Sequence, residues 1–486
     1  MKRRSRVPRA LGALLGATAL LGISWSIVTP PFQTPDENWH VAYLQTIAEQ
    51  GKLPGIAGRP VFSTEQQLGL NAANSEQTQA VPATKPEWSA EAYRRFRRRD
   101  DRLPASARDD GGGDNFAQSN PPLYYALDAV PYRLPSGGDL FARLSAARLL
   151  SVVFLLGTVA ATWLLAGTVF GPRPDLQLAA AAIPALLPMV TFISSSINPD
   201  SLLYLLWTVA FWLGARILKR EAGALDAVAL VGVTGLGIAT KSPSYALLPG
   251  VLLVLGVALW RLRHRRRLVA ALAVGGVLAF ALTAGTWFAV ARSSDRPIAA
   301  QLTDALEGTS EVNEREFASY VWQYYLPRLP FQTTYPGLES WHPPKAYDIW
   351  FRQSMGAFGW LEVKWPNRAY WPMAIFSLLV VAGALMALWR RRRSLDLPLL
   401  GFFGLTVLAL VIGLHWTEYR LAEQNGALIN QGRYLFPLVG LGGLVFAAAL
   451  TSLPVRARAP ALALTLGLLA VLQLFSIGLV AERFYV

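Results

Sequence analysis

Cysteine is absent from the 486-residue chain, and histidine occurs only four times. The lack of cysteine excludes a disulfide framework, a thiol nucleophile and a cysteine-ligated zinc site. Charged residues are also scarce, at 16% of the chain, whereas hydrophobic residues make up 53%. Such a composition is too apolar for an ordinary soluble protein of this length. The sequence therefore indicates an integral membrane protein.

The apolar residues fall into blocks, and a bilayer core about 30 Å thick needs about 20 residues of helix to cross it. The first block follows a basic start and lacks a small-residue cleavage site, so we interpret it as a retained signal-anchor helix. We predict an all-α integral membrane protein with about eleven spans. The predicted spans are Leu11 to Val28, Leu149 to Phe170, Leu178 to Ile193, Leu202 to Leu218, Ala227 to Ala239, Tyr245 to Trp260, Leu268 to Val290, Tyr370 to Trp389, Leu397 to Leu414, Tyr434 to Leu450 and Ala461 to Val480.

Short arginine clusters mark alternate connections between these spans, as the positive-inside rule expects with a cytoplasmic N-terminus. Much of the net charge of +14 lies in these clusters. We therefore expect no binding of nucleic acid. The connections predicted to be cytoplasmic carry Arg173, Lys219 and Arg220, the cluster Arg261 to Arg267, Arg390 to Arg393, and Arg456 with Arg458.

Two long segments then fall on the outer side of the membrane. We accordingly divide the chain into residues 1–29 with the first span, an outer loop (30–148), a helix bundle (149–291), a second outer loop (292–369) and C-terminal spans (370–486). In the first loop, a capping box of Thr84 and Glu87 predicts a helix, which either lies on the membrane surface or packs on the loop's own core. The following DDGGGDNF has the composition of a mobile linker.

The segment PPFQTPDENWH follows the first span and carries Asp36, Glu37 and His40. A capping box predicts Thr34 as N-cap and Glu37 at the third helical position, which explains both residues without any chemistry. Capping does not require Asp36 and His40 to lie one turn apart on the same helix face. Because clustered ionisable groups often mark sites, this segment is also a candidate active site.

Other polar and aromatic segments have two interpretations each. Tyr124, Tyr125 and Tyr132 in QSNPPLYYALDAVPYRLP are expected to anchor a re-entrant or surface helix. The turn SSSINPDS is interpreted as a helix cap that includes Asp200. The aromatic segments VWQYYLPRLPF and SMGAFGWLEVKWP of the second loop build either an apolar groove or a membrane belt.

Lys241 and Arg433 stand at the predicted outer ends of spans. Each either snorkels to the membrane surface or binds an anion. For Arg433 the anion would be a lipid phosphate held by two hydrogen bonds.

Six motifs, taken in their order along the chain, resemble those of a large bacterial family of multi-span membrane proteins catalogued as a domain of unknown function. The motifs are PDE-x-x-H, NPPLYY, NPD, TK, FGWLE and QGRY-x-x-P. That family is similar in turn to the GT-C class of glycosyltransferases. The resemblance extends from about Pro30 to Pro437. It implies that Asp36 or Glu37 acts as a general base, or that Asp36 ligates a divalent cation such as Mg²⁺ or Mn²⁺.

The resemblance also implies a polyprenyl-phosphate sugar donor and a substrate-binding role for Lys241 and Arg433, to which we add His40 and Tyr434. The expected function is transfer of a sugar to a cell-envelope glycan, lipid or protein on the outer face of the bacterial cytoplasmic membrane. A lipid or glycan transporter is the alternative, but transporters usually carry ionisable residues in mid-span. A non-catalytic subunit of an envelope-assembly complex is a third interpretation.

Overall fold

The computed structural model describes residues 8–75, 88–135, 137–219, 223–294, 314–332, 346–425 and 429–486. These residues form α-helices, short 3-10 and π-helical turns and one small hairpin, so the predicted all-α class is confirmed. The α-helices are α1 Arg9–Val28, α2 Glu37–Gln45, α3 Thr64–Ala72, α4 Ala90–Asp100, α5 Leu123–Arg133, α6 Leu140–Phe170, α7 Pro174–Leu186, α8 Pro188–Ile193, α9 Asp200–Leu218, α10 Ala224–Ile238, α11 Leu248–Leu262, α12 Arg266–Phe280, α13 Thr286–Ser293, α14 Glu314–Tyr325, α15 Gln353–Gly356, α16 Asn367–Arg390, α17 Leu397–Asn425, α18 Val439–Ser452 and α19 Val455–Tyr485.

The remaining elements are short. The hairpin pairs strands β1 (Ala357–Phe358) and β2 (Val363–Lys364) in antiparallel orientation. The π-helical turns are Thr46–Gln50, Ala281–Gly285 and Tyr347–Arg352, and the 3-10 turns are Ala105–Arg108, Phe116–Ser119, Ser242–Leu247, Arg392–Ser394 and Gly432–Leu438.

Nine helices in the described parts of the chain are long and apolar enough to cross a membrane. Their lengths of 19 to 31 residues suit a bilayer core of about 30 Å. The chain is therefore a multi-span membrane protein. The nine are Arg9–Val28, Leu140–Phe170, Asp200–Leu218, Ser242–Leu262, Arg266–Ser293, Asn367–Arg390, Leu397–Leu421, Gly432–Ser452 and Val455–Tyr485.

The other two predicted spans are shorter in the structure than a full crossing. The segment Leu178 to Ile193 is broken at Leu187 between α7 and α8, because Pro188 has no backbone N–H and disfavours helical backbone at the preceding residue. Helix α10 has 15 residues, about 22 Å of helix, where Ala227 to Ala239 was predicted.

Two spans begin or end well outside their predicted limits. Helix α6 begins at Leu140 rather than Leu149, because the Asp139 carboxylate caps it by accepting from the N–H of Ala142 at 2.8 Å. Helix α17 continues to Asn425 beyond the predicted end at Leu414. Each predicted limit was placed where the apolar run meets its first polar or charged residue. In the structure those residues lie inside the two helices.

Internal contacts divide the chain into two compact units. Unit 1 comprises Met1–Trp212, Gly356–Leu395 and Pro437–Val486. In it, α1 packs on α6 and α7, with Leu14, Val159 and Ala182 in one buried cluster. Unit 2 comprises Leu213–Met355 and Asp396–Phe436, and there α11 packs on α17 and α10 packs on α12.

The basic helix of the segment 30–148 is α4. The predicted capping residues Thr84 and Glu87 lie outside the described residues, and the helix is instead capped by Ser89, whose Oγ accepts from the N–H of Ala92 at 3.1 Å. Phe96 is buried against Phe141, with ring centroids 4.1 Å apart. Helix α4 therefore packs on α3 and, through Phe96, on α6.

The glycine-rich segment Gly111 to Gly113 is buried, so its interpretation as a mobile linker is wrong. The N–H of Gly113 donates to the carbonyl of Pro60 at 2.8 Å, and the Gly112 carbonyl accepts from the N–H of Gly55 at 2.9 Å. A Cβ on Gly113 would lie 2.1 Å from the Arg59 carbonyl oxygen. The glycines are therefore needed for close approach of two backbone segments.

We accordingly expect Gly113→Ala to destabilise the protein by about 1–3 kcal/mol, because the added methyl collides with backbone that has no rotamer to move into. Gly137→Ala is the matched control, since nothing lies within 4 Å of a Cβ at that position. The midpoint of thermal unfolding in detergent measures both. Equal midpoints for the two variants would contradict the close packing.

Candidate active site

The loop between α1 and α2 carries Asp36 in an unusual backbone conformation. Phe32 and Asp36 have φ angles of 62° and 66°, in the left-handed region. Asp36 directly precedes α2 and is half-buried. No side chain caps this helix, so the predicted capping box of Thr34 and Glu37 does not form. The reason is that the Glu37 carboxylate points into the protein interior, where it has a stronger partner.

That partner is Arg148 on α6. Its Nε and Nη2 donate to the two carboxylate oxygens of Glu37 at 2.7 and 2.6 Å, and both side chains are buried. The same carboxylate accepts from the backbone N–H of Phe32 at 3.0 Å and from that of Ile197 at 3.2 Å. Glu37 therefore has all its oxygens engaged and is not exposed at all.

Arg148 also fixes the end of the first span. Its Nη1 donates to the carbonyl oxygens of Ser26 at 2.9 Å and Thr29 at 2.7 Å, and its Nη2 donates to Pro30 at 3.0 Å. One guanidinium thus joins the last turn of α1 to the first residue of α2. The half-exposed Asp36 side chain lies on this fixed loop.

His40 lies one turn after Asp36 and is buried. Its Nδ1 is 2.8 Å from the hydroxyl oxygen of Tyr125 on α5, and the Tyr125 ring stacks on Tyr43 with centroids 3.9 Å apart. Burial raises the pKa of the Tyr125 hydroxyl well above its ordinary value, and Tyr43 and the charges of Asp200 and Asp36 raise it further.

The tyrosines of α5 are interior residues, so their prediction as interfacial anchors is wrong. Tyr124, Tyr125 and Tyr132 are all completely buried. The hydroxyl of Tyr124 lies 2.9 Å from Ser151 Oγ on α6 and accepts from the backbone N–H of Asn198 at 3.0 Å. This helix therefore joins the first outer loop to the spans of the same unit.

The turn before α9 is a helix cap, as predicted. Asn198 Oδ1 accepts from the N–H of Asp200 at 3.0 Å, and Asp200 is the first residue of the helix. The Asp200 side chain is buried. Its carboxylate is also one of the two that act on Tyr125.

The FGWLE segment forms the turn of the hairpin in unit 1. Gly359 and Leu361 have φ angles of 62° and 67°, which tighten this turn between β1 and β2. The indole N–H of Trp360 in the turn donates to the carbonyl oxygen of Phe32 at 3.1 Å. The hairpin therefore packs on the loop that carries Asp36.

Four of the six motifs singled out in the sequence thus meet around one loop of unit 1. PDE-x-x-H supplies His40, NPPLYY supplies Tyr124 and Tyr125, NPD supplies Asn198, whose N–H donates to Tyr124, and FGWLE supplies Trp360. Within the described residues, no three His, Asp or Glu side chains are grouped as a metal site.

The other two motifs meet in unit 2. Lys241 Nζ lies 5.6 Å from the centre of the Tyr434 ring, and the guanidinium carbon of Arg433 lies 5.5 Å from it. Lys241 is half-buried, and Arg433 is only 4% exposed. The structure therefore brings the three unit 2 candidates together at one aromatic ring.

The segment that carries Arg433 is held by side chains that sequence reasoning missed. The Glu418 carboxylate on α17 accepts from the backbone N–H of Asn430 at 2.9 Å and from its side-chain amide at 2.5 Å. The hydroxyl of Ser354 donates to the carbonyl oxygen of Gly432 at 3.0 Å, and the Gln353 side-chain oxygen accepts from its N–H at 3.1 Å. The signal for Glu418 was the absence of a helix breaker after Leu414.

An aromatic cluster surrounds the same stretch of α17. The hydroxyls of Tyr320 and Tyr325 lie 3.2 and 2.8 Å from the two ring nitrogens of His415, and Tyr320 also donates to Glu418. Trp350 Nε1 donates to Tyr325 at 3.1 Å. Tyr325 of the segment VWQYYLPRLPF thus packs on His415, an arrangement that is neither of the two interpretations made for this segment.

Spanning helices with a carboxylate-bearing loop at the end of the first span define a multi-span membrane protein with a candidate active site in that loop. The chain belongs to the family described as predicted membrane protein DUF2142, whose model matches residues 19–441. Comparison with curated proteins gives no match.

The chain is similar to solved structures of GT-C glycosyltransferases. ArnT from Cupriavidus metallidurans in the apo state has a TM-score of 0.48 at 15% identity, over 93% of this chain and 62% of that one. ArnT bound to undecaprenyl phosphate has a TM-score of 0.47 at 16% identity, over 99% and 76%. The archaeal oligosaccharyltransferase AglB from Archaeoglobus fulgidus has a TM-score of 0.50 at 11% identity, over 98% and 56%, a likeness of fold.

Proposed function

We propose that this protein is a glycosyltransferase that moves a sugar from a polyprenyl-phosphate donor to a cell-envelope acceptor on the outer face of the bacterial cytoplasmic membrane. The observation that carries the proposal is a difference in burial and pairing between two adjacent carboxylates. Glu37 is buried and fully paired, whereas Asp36 is half-exposed on a fixed loop. Asp36 is therefore the carboxylate that can meet an acceptor.

In the proposed reaction, Asp36 accepts the proton of the acceptor hydroxyl while that oxygen forms a bond to the anomeric carbon of the sugar. The bond from this carbon to the donor phosphate breaks, and the phosphate leaves with the electron pair. Lys241 and Arg433 carry positive charge suited to binding that phosphate. AglB was solved in complex with a dolichol-phosphate, which agrees with this donor class.

A divalent cation stays a prediction. Mg²⁺ is usually held by one or two carboxylates together with substrate phosphates, and Asp36 is the residue that would hold it. When bound, such a cation would neutralise charge on the phosphate. His40, hydrogen-bonded to Tyr125, is proposed to orient the acceptor side of the site.

The test is transfer of radiolabelled sugar from polyprenyl-phosphate donors to envelope extracts by the purified protein in liposomes. Label in an acceptor product, absent in liposomes without protein, is the expected result. Movement of the donor lipid between leaflets without any product would favour the transporter interpretation. Neither activity, in protein that is folded and inserted, would favour the structural subunit.

Arg433→Lys separates phosphate binding from simple membrane anchoring. Lysine keeps the charge but offers a point donor instead of a planar fork, so we expect the donor concentration for half-maximal transfer to rise roughly 5- to 150-fold, as the loss of about 1–3 kcal/mol implies. Arg328→Lys, an exposed arginine of the same unit, is the control. Equal donor dependence in both variants and in Arg433→Ala would remove Arg433 from the site.

A further inference from the structure

Three helices of unit 2 enclose an apolar groove that the proposed function does not use. Helices α10, α11 and α12 border a cavity of about 410 Å³. Every lining residue is aliphatic, glycine or phenylalanine. The larger ones are Val231, Leu255, Leu259, Leu272, Val277 and Phe280. A cavity with this lining suits a hydrocarbon chain rather than water or a sugar.

The groove lies on a surface that faces lipid. Only 11% of the 18-residue apolar stretch within the span Arg266–Ser293 is buried within the protein. Val274, Val277 and Leu282 on this span are 60%, 69% and 76% exposed. In a membrane such a face is covered by lipid chains, since leaving it to water would be costly. The groove is therefore accessible from the bilayer.

An arginine cluster lies at one end of the groove. Arg265, Arg266 and Arg267 begin α12, and all three are exposed. Among the described residues, none of the ion pairs includes these three side chains. Arg261 differs from them, because it donates to the carbonyl oxygens at the end of α9 at 3.0 Å. Three exposed cationic groups thus lie at the start of a helix that lines the apolar groove.

The spacing matches the two parts of one lipid molecule. Leu259 lies on α11 only two residues before Arg261, and Leu272 lies about 9 Å along α12 from Arg266. From Leu272 the groove continues about 13 Å further, along α12 and just past its end at Phe280, to Ala281. A phosphate held by the arginines would therefore have its acyl chain directed along the groove.

We propose that this groove and the cluster of Arg265, Arg266 and Arg267 bind an anionic phospholipid. Charge complementarity selects the anionic headgroup, and the apolar groove holds one acyl chain. Basic pockets between transmembrane helices select anionic lipids in this way. The site uses none of the residues placed in the transfer reaction, so it stands independently of the proposed function.

The experiment is native mass spectrometry of the full-length protein released from nanodiscs of phosphatidylcholine and phosphatidylglycerol. We expect retained phosphatidylglycerol in clear excess over phosphatidylcholine. Substituting Arg265, Arg266 and Arg267 by glutamine should weaken retention, roughly fivefold for each arginine removed. The matched control substitutes Arg391, Arg392 and Arg393 by glutamine, which removes equal charge from another exposed cluster.

Gly276→Leu tests the groove while keeping every arginine. A Cβ there meets only Val231, at 3.9 Å, so the leucine side chain can enter the cavity and displace an acyl chain. Ala273→Leu does the same if Gly276→Leu fails to fold. Loss of retained phosphatidylglycerol in these variants supports the site. Three results would each overturn the proposal. The wild type could retain both lipids equally, the two arginine variants could lose equal amounts of phosphatidylglycerol, or added polyprenyl phosphate could displace the bound phosphatidylglycerol.

Discussion

Substitution of Asp36 by asparagine is expected to lower sugar transfer by roughly 10²- to 10⁴-fold, the range associated with loss of a general base. The protein should stay folded, because asparagine has the same shape and adopts the left-handed conformation of Asp36 as readily as aspartate does. The initial rate of transfer at saturating donor is the measurement. Thermal unfolding and membrane insertion are measured alongside it.

Asp109→Asn is the matched control for this substitution. It makes the same change at an exposed carboxylate of the same segment, 30–148, and should leave the rate unchanged. Near wild-type turnover in both Asp36→Asn and Glu37→Gln would show that the proposed active site is wrong. Failure of Asp36→Asn to express would instead point to a purely structural role for this loop.

The second large effect concerns the buried ion pair. Arg148→Met should destabilise the protein by about 3–5 kcal/mol, because it leaves the Glu37 carboxylate buried without a cation. It also removes the donor to the carbonyl oxygens of Ser26, Thr29 and Pro30. The midpoint of thermal unfolding in detergent should therefore fall sharply.

A double-mutant cycle with Glu37→Gln identifies the cause of this loss. The double variant should recover part of the stability, since no unpaired charge then remains. The exposed pair of Glu91 and Arg95 is the control, and its disruption should cost no more than about 1 kcal/mol. Additive losses at positions 37 and 148 would mean that the ion pair is not what holds the loop.

The spans could be predicted because each is a long apolar run, and the bilayer sets the length of such runs. Their ends were less predictable. Arg143 and Arg148 interrupt the apolar run, so the predicted span began after them. In the structure both lie inside α6, because both have buried acidic partners in unit 1. A sequence shows which residues are charged but not which residues they pair with. Arg148 and Glu37, for example, lie 111 residues apart in the chain.

The position of the candidate site could be predicted only in outline. The sequence pointed to Asp36, Glu37 and His40, but local rules assigned Glu37 to a cap that it does not form. The sequence also predicted Tyr125 to lie at the membrane surface, whereas the Tyr125 hydroxyl is hydrogen-bonded to His40 in the protein interior. Both errors arose because long-range contacts outweighed local propensity.

The contacts of the α1–α2 loop also set an order for assembly during insertion. Until α6 enters the membrane, Glu37 has no counter-charge, and a carboxylate in that state stays solvated. The bond from Trp360 to Phe32 joins residues 328 positions apart, so the loop gains it only after most spans have been synthesised. A ribosome-bound chain that has not yet reached the hairpin therefore lacks this contact, and the α1–α2 loop takes up its final packing only late in synthesis.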